Sequence, residues 1–409
     1  MEMKNIRKFF IGKPKNNFPD KIMNDIDSLW VMICGCLVFY MQAGFAMLEV
    51  GTVRSKNSHN ILLKNIVDVC AGTICWWLLG YSFAYGDTSN NFIGFTNPFK
   101  DTNELDWFFQ WAFATTSTTI VSGAIAERTQ FVAYLIYSSI MTTFIYPVIV
   151  HWTWGGGWLF DKGYIDFAGS GIVHLVGGCA GLAGSAILGP RIGRFDKNEK
   201  QELFKPHNIP LAVLGTIILW FGWYGFNAGS TLSFSGENKD VASLVVMNTS
   251  IAAATGGLTV LFGSRVISSR HIYDVMSMCN GILAGLVSIT ASCNNVENYA
   301  AFLIGLIGAF IYMVASNILV RLRIDDPLDA FAIHGAAGAW GVLAVSIFDK
   351  DGVPFKWQLA GVLSIISWST GLAGLTFYGL HKANILRISS TEEDSGLDIS
   401  HHGGRAVNV

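Results

Sequence analysis

Two histidines in matching sequence frames are the residues of this chain best suited to chemistry. His174 follows Asp166 by eight residues, and His334 follows Asp326 by eight residues. A glycine lies four and again seven residues after each histidine. Imidazole changes its protonation state near neutral pH and both donates and accepts hydrogen bonds. A facing pair could therefore bind a small polar molecule or relay a proton.

Three roles are open for this pair. Both histidines lie in long apolar stretches, where an ionisable residue is costly and typically functional. They could instead be unrelated core histidines bonded to backbone carbonyls, although the matched frames argue against that. A metal site is the third possibility, but two histidines without an obvious third ligand make a weak case. We predict neither a metal nor a cofactor.

The aspartates of the two frames fall where helices are expected to begin. A carboxylate there accepts hydrogen bonds from free backbone N–H groups and lies near the positive end of the helix dipole. Capping is the simpler role for Asp166 and Asp326, and it is compatible with an electrostatic role in a site. No catalytic residue is predicted, since the chain has no HExxH motif and no phosphate loop. An intramembrane metalloenzyme is the minor alternative.

Aromatic clusters accompany these frames. They are Phe108–Phe113, His151–Gly157 and Trp223–Ser230. Aromatic faces and a hydroxyl group could bind a small cation through cation–π attraction and a hydrogen bond. The same residues could equally form an aromatic belt at a membrane interface. The spacing alone leaves both interpretations open.

Membrane-spanning helices are the elements that must position these groups. Charged residues make up 14% of the 409 residues, against about 25% in an average soluble protein. Apolar residues make up 51%, and the net charge of −2 gives no broad basis for nucleic-acid binding. So few charges cannot cover a soluble surface of this size. The composition predicts an all-α polytopic membrane protein.

Eleven apolar stretches approach the roughly 20 residues that a bilayer span requires. They cover residues 27–50, 63–86, 107–126, 130–150, 168–189, 209–231, 241–263, 273–292, 298–320, 329–348 and 358–382. The histidine frames fall in the fifth and the tenth, an odd number of helices apart. The halves 27–189 and 209–348 are therefore predicted to form a 5+5 inverted repeat, with the site at their interface and 358–382 as a final extra helix.

Lys and Arg residues predict the orientation of the membrane domain, 27–382. They are concentrated in one set of alternate loops and in the tail 383–409, and the positive-inside rule places these in the cytoplasm. The tail 1–26 then faces the extracellular or periplasmic side. Its own six basic residues oppose that assignment.

The chain resembles the ammonium transporter family (Amt/Mep/Rh), and the Amt branch within it, from about residue 27 to 404. The strings that carry the resemblance are FQWAF ending at Phe113, GAIAER at 123–128, WGGG from Trp154, DFAG from Asp166 with His174, KPHN at 205–208, GWYGFNAGS ending at Ser230, DDP from Asp325 with His334, and GLDISHHGG at 396–404.

The resemblance implies a homotrimer with one narrow, mostly apolar pore in each subunit. Phe113, Trp154 and Ser230 would recruit NH4+ at the outer face, and Phe113 and Phe226 would stack as a gate below them. In this family the recruited ion is ammonium, or methylammonium as its analogue. Gln42 and Glu49 stand on a pore wall where some relatives carry other residues.

For the pore itself, the resemblance implies that His174 and His334 are the twin histidines that line it. Asp166 would be the acid that keeps the outer site competent to recruit NH4+. Neutral NH3 crosses an apolar pore at little cost in free energy. K+ has no proton to lose, so it keeps its charge and is excluded. The expected function is ammonium transport, with net NH4+ movement favoured over neutral conduction. The chain is not expected to be an enzyme.

The resemblance also implies partners and a place in the cell. The protein would lie in the plasma membrane, or the inner membrane of a bacterium, among lipid. A PII-class nitrogen-signalling protein could dock on the cytoplasmic face, and Ser400 stands where some plant relatives carry a regulatory Thr. An ammonium sensor of the same fold with weak flux is the alternative function.

Overall fold

The computed structural model describes residues 24–87, 90–97, 102–196, 201–267 and 271–406, so most of the predicted tail 1–26 lies outside the described residues. Within these ranges eleven helical runs follow the order of the predicted spans. They are α1 (Asp25–Thr52), α2 (Ser55–Tyr85), α3 (Glu104–Ala124), α4 (Phe131–Trp152), α5 (Ser170–Leu188), α6 (Ile209–Gly229), α7 (Asn238–Ile267), α8 (Val275–Ile289), α9 (Asn298–Arg321), α10 (Phe331–Phe348) and α11 (Phe355–Lys382). The prediction of an all-α polytopic membrane protein is confirmed.

Nine of these described helices are long and apolar enough to cross a membrane, and α3 and α8 are the exceptions. Helix α8 has only 15 residues. Helix α3 has 21 residues but carries a run of buried Thr and Ser side chains. Polar groups at membrane depth must be satisfied inside the protein, and α3 accordingly packs against α1, α2 and α5 rather than facing lipid along its length.

Helices α5 and α10 begin in the same irregular way, as the predicted repeat requires. Each opens with a π-helical segment, Ser170–Leu175 in α5 and Phe331–Ala336 in α10, and each segment contains the histidine of its frame. A π-helical turn widens the helix locally and is frequent at functional sites. The two halves therefore place matching irregular segments at their interface.

The C-terminal tail is docked on one end of the helical bundle, which we call the tail end. Its short helices are α12 (Ser390–Ser395) and α13 (Leu397–His402). The carboxylate of Asp398 accepts hydrogen bonds from the backbone N–H groups of His59 and Asn60, at 3.1 and 3.0 Å. A tail residue thus caps the first α-helical turn of α2, which begins at Ser58 after the 3-10 turn Ser55–Asn57. The Lys56 ammonium adds bonds to the carbonyls of Glu393 and Asp394.

A buried ion cluster ties the two halves together at the tail end. Glu127, in the loop after α3, pairs with both Arg54 and Arg191. Arg191, after α5, also donates to Asp325, which lies just before α10. Burial raises the pKa of the Glu127 carboxyl, but Arg191 and Arg54 outweigh it and hold the pKa below its ordinary value. The stabilisation from this carboxylate is therefore fully present above the unfolded-state pKa of about 4.3 and is lost only as pH falls through the lower folded-state value.

Neutralising Glu127 should destabilise the fold strongly. Glu127→Gln leaves Arg54 and Arg191 without their shared counter-ion, and breaking a buried pair costs roughly 3–5 kcal/mol. The thermal unfolding midpoint of the purified protein in detergent should fall accordingly. The matched control is Glu297→Gln, because Glu297 pairs with Lys350 at an exposed site, where an ion pair contributes about 0–1 kcal/mol. Equal midpoints for the two variants would contradict the role given to the cluster.

Candidate functional site

The site begins where α5 and α10 cross with almost no space between their backbones. A Cβ on Gly178 would lie 2.2 Å from the backbone nitrogen of Gly335, and one on Gly338 would lie 2.6 Å from the carbonyl oxygen of Ser170. Gly178 and Gly338 are the glycines that follow each histidine by four residues. Small residues at a helix crossing let the backbones approach closely. This contact brings the two histidine frames together.

His174 and His334 meet directly at this crossing. Their Nδ1 atoms lie 3.2 Å apart, and the ring centroids are 5.2 Å apart with planes tilted by 24°. A bond between two neutral imidazoles requires one Nδ1 to donate and the other to accept, so the two rings must hold opposite tautomers. The Nε2 atom of one ring is then a donor and that of the other is an acceptor. The pair can offer a passing molecule both kinds of hydrogen bond.

Aromatic rings form the walls around the histidine pair. The imidazole of His174 stacks on Trp223 at 4.9 Å and 14°, and on Phe226 at 5.3 Å and 28°. The ring of Phe45 lies 6.2 Å from that of His334. His174 is fully buried, and its Nε2 has no hydrogen-bond partner among the described residues. These walls give the pair apolar surroundings.

An aromatic gate covers the histidine pair on the side away from the tail end. The rings of Phe113 and Phe226 lie 4.2 Å apart, and both side chains are buried. Trp154 meets Phe113 edge-on at 5.9 Å and 84°. Its indole Nε1 donates to the carbonyl oxygen of Asp166 at 2.8 Å, which fixes the orientation of the ring. The half-buried Trp154 is the outermost ring of this group.

Ser230 lies one turn beyond Phe226, at the C-terminal end of α6. Its hydroxyl donates to the carbonyl of Phe226 at 2.9 Å. Because the hydroxyl hydrogen is used there, its oxygen lone pairs can accept a hydrogen bond from a cation. The side chain is half-buried, so this acceptor lies at the boundary between the gate and the surface.

The carboxylate of Asp166 is committed to the backbone of α5. Its oxygens accept hydrogen bonds from the N–H groups of Gly169, Gly171 and Ile172, at 3.0, 2.8 and 2.9 Å. With both oxygens occupied, the carboxylate holds the start of α5, while the backbone carbonyl of the same residue orients Trp154. Asp326 accepts from Phe331 at 2.8 Å through one oxygen, in the matching place before α10.

The structure joins most of the predicted site residues into one continuous series of ring contacts. The series runs Trp154, Phe113, Phe226, His174 and His334. Ser230 and Asp166 flank its outer end, and Asp326 caps α10. Ser400 lies apart from them, exposed on α13, where its hydroxyl bonds the carbonyl of Gly396.

Two wall residues lay outside the predicted site. Trp223 carries the closest stack on His174, and Phe45 borders His334. Trp223 stands in the Trp223–Ser230 cluster and lies three residues from Phe226 on one helix, which could have joined those two rings. No sequence signal joins Phe45 to His334. No group of three His, Cys, Asp or Glu able to hold a metal ion occurs in the described ranges.

The chain is similar to known proteins along nearly its whole length. The model of the Ammonium Transporter Family matches residues 29–407. Ammonium transporter 1 member 3 of Solanum lycopersicum is 42% identical over 437 residues, spanning 95% of this chain and 94% of that protein. A putative ammonium transporter of Synechocystis sp. is 44% identical over 393 residues, spanning 92% and 88%. A solved structure named Sensor Amt Protein superposes with a TM-score of 0.88 at 37% identity, spanning 94% and 100%.

Filling the glycine crossing should separate the histidines. In Gly178→Ala the new Cβ would collide with the backbone of Gly335, and overpacking of this kind costs about 1–3 kcal/mol or more. We expect a lower thermal unfolding midpoint for the purified protein. Gly374→Ala on α11 is the matched control, because a Cβ there meets no described atom within 4 Å. A Gly178→Ala protein as stable as this control would show that the close crossing is not required.

Proposed function

The chain belongs to the Ammonium Transporter Family, and from that membership we propose that its aromatic gate and histidine pair select ammonium by taking a proton from it. The observation that carries the proposal is the buried His174–His334 pair directly beneath the Phe113–Phe226 stack. A cation that reaches this stack must either lose its charge or turn back.

Recruitment is the first proposed step. The faces of Trp154 and Phe113 attract a small cation through their ring quadrupoles, and the Ser230 hydroxyl accepts one of its hydrogen bonds. The capped carboxylate of Asp166 adds a negative charge behind Trp154. Together these groups replace part of the water shell of NH4+ before it meets the gate.

Proton loss is the second step, and it separates ammonium from K+. Moving an ion of this size from water into a medium of low dielectric constant has an idealised cost of order 20 kcal/mol. NH4+ avoids that cost by giving up its proton at the gate, while K+ has no proton to lose. An apolar passage below a deprotonating site is therefore a chemical filter rather than a filter of size.

Passage of NH3 along the histidine pair is the third step. Ammonia donates and accepts hydrogen bonds, and opposite tautomers of His174 and His334 present both an acceptor and a donor. The stacking of His174 on Trp223 and Phe226 keeps its ring in the plane that faces its partner. We propose that the overall movement is net NH4+, with the proton following the ammonia.

The orientation and assembly belong to the same proposal. The tail end faces the cytoplasm, the gate faces out, and three copies form a homotrimer in the plasma membrane, or in the inner membrane of a bacterium. The docked tail and the neighbouring loops then offer a surface to a PII-class protein, and Ser400 is exposed there for modification. The clustering of Lys and Arg at this end supports the orientation.

A sensor with the same fold is the second candidate. The protein named Sensor Amt Protein is similar to this chain along nearly its whole length. A sensor and a transporter need the same recruitment site, so the gate does not separate them. Flux does, because a pure sensor would bind ammonium in liposomes and pass little of it.

Removing either histidine should damage transport and selectivity. His174→Ala and His334→Ala each leave the other imidazole without its partner, and an unmade buried hydrogen bond costs about 1–3 kcal/mol. We expect uptake of labelled methylammonium into liposomes to fall about tenfold, since 1.4 kcal/mol is a factor of ten. Currents in planar membranes with NH4+ and with K+ report the selectivity of the same proteins.

The control is His381→Ala, an exposed histidine at the end of α11, which should transport as the unaltered protein does. The role of the pair is refuted if both single variants keep full uptake and full exclusion of K+. An unaltered protein that binds methylammonium without robust uptake would instead favour the sensor.

A further inference from the structure

A glutamine of α11, the helix outside the repeat, holds the backbone segment that leads to Asp166. The side chain of Gln358 is fully buried. Its amide pairs with both backbone groups of Ile165, the residue directly before Asp166. The Ile165 N–H donates to Gln358 Oε1 at 2.8 Å, and Gln358 Nε2 donates to the Ile165 carbonyl at 2.7 Å. Nε2 also donates to the carbonyl of Val342 on α10 at 3.0 Å.

This amide group uses its full donor capacity. A glutamine amide has two N–H donors and one carbonyl oxygen, and here both donors and the oxygen are bonded. Rotation of the side chain would leave buried polar groups unpaired, which is unfavourable. Gln358 therefore fixes Ile165 relative to α10 and α11 at once. We call the Gln358 amide and its three hydrogen bonds the outer clamp; the mechanism proposed above does not use it.

A packing contact of α11 lies beside the outer clamp. The ring of Tyr164, the residue before Ile165, is buried against α11. A Cβ on Gly361, three residues after Gln358, would lie 2.2 Å from Cε2 of that ring. The absence of a side chain at Gly361 thus lets the Tyr164 ring lie directly against the α11 backbone.

The end of α8 holds the same segment from the second half of the repeat. The backbone N–H groups of Phe167 and Ala168 donate to the carbonyls of Ala291 and Thr290, at 2.9 and 3.1 Å. Residues 164–169 are irregular backbone ahead of α5, so helical hydrogen bonds do not define their position. These contacts with α11 and with the end of α8 define it instead.

The outer clamp acts one peptide away from the recruitment residues. The carbonyl oxygen of Asp166 accepts the indole N–H of Trp154 at 2.8 Å. A shift of Ile165 would therefore move this carbonyl, and the Trp154 ring would lose the bond that orients it. Trp154 is the outermost ring of the gate, so its orientation matters where a cation arrives.

The matching place in the second frame is held in a different way. Asp325, directly before Asp326, is bonded by guanidinium groups: Arg191 donates to its carboxylate, and Arg128 donates to its carbonyl. At the gate end the clamping group is an uncharged amide. A guanidinium there would repel the cation that the outer site has to attract. An uncharged clamp holds the backbone without that repulsion.

We propose that Gln358 is a positioning residue for the recruitment step: by holding the backbone before Asp166, it keeps the Trp154 ring in the orientation that meets the cation. The inference rests on the proposed function. It gives α11 a role at the outer site. The residue does not touch the ammonium ion, and its effect reaches the ion only through Trp154.

The concentration dependence of uptake tests this role. Initial rates of labelled methylammonium uptake into proteoliposomes give a half-saturation concentration and a maximal rate for each protein. Gln358→Met keeps an unbranched side chain of similar size but makes none of the three hydrogen bonds. We expect its half-saturation concentration to rise about fivefold and its maximal rate to stay within about twofold, because loss of substrate binding alone raises KM and leaves kcat unchanged. Gln358→Glu keeps an acceptor for the Ile165 N–H and should show a smaller rise.

Two further proteins separate positioning from packing. Gln130→Met is the matched control, because the Gln130 amide also bonds a backbone carbonyl, that of Arg387, but at the tail end; its half-saturation concentration should not change. Trp154→Phe keeps a ring and removes the indole N–H. In that background Gln358→Met should raise the half-saturation concentration less than about twofold further, since changes to one shared contact do not add.

The outcomes are distinct. An unchanged half-saturation concentration in Gln358→Met and Gln358→Glu overturns the proposal, and so does a fall in maximal rate alone, because Gln358 would then serve only the packing of α11. Effects of Gln358→Met and Trp154→Phe that multiply in full also overturn it. If Gln358→Met does not fold, Gln358→Glu carries the same test. An unaltered protein without uptake refutes the proposed function, whereas uptake that is insensitive to Gln358 refutes the positioning role alone.

Discussion

The cost of placing a charge at membrane depth is the constraint on which the rest of this structure depends. Two buried carboxylates show how the structure meets this cost. Asp166 is saturated by backbone N–H groups at the start of α5, and Glu127 is held between Arg54 and Arg191 at the tail end. The histidine pair lies among aromatic rings instead, and no carboxylate of the described residues is bonded to it. A site built in this way disfavours any cation that keeps its charge.

The same constraint explains why the two repeats must meet so closely. Two imidazoles replace the water shell of a small molecule only if they reach it together, and a gap would admit water and weaken the filter. The glycines at 178 and 338 remove the side chains that would hold α5 and α10 apart. The π-helical segments at the start of both helices contain the histidines that meet at the crossing. Packing of small residues thus sets the chemistry at the pair.

The helices and the histidine frames were predictable from the sequence because each depends on local pattern. The predicted apolar stretches correspond in order to α1–α11, nine of which are long and apolar enough to span a bilayer, and the Asp-to-His spacing identified the two matching segments. The stack of Trp223 on His174 was not predictable, since it depends on how α6 is rotated against α5. The partners of Glu49 and Asp68 were hidden for the same reason: they come from three helices whose order in space the chain order does not give. The side of the membrane on which residues 1–26 lie remains a prediction from charge.

The polar side chains of α3 meet the same constraint in a different way. Thr119 donates to the side-chain oxygen of Gln42 on α1, and the carboxylate of Glu49 accepts from Ser122 on α3 and from Asn65 on α2. Other hydroxyl groups of the helix bond the backbone of its preceding turn, as Thr116 bonds the carbonyl of Ala112. The polarity of α3, which sets it apart from the long apolar helices, is therefore satisfied inside the protein rather than left facing lipid.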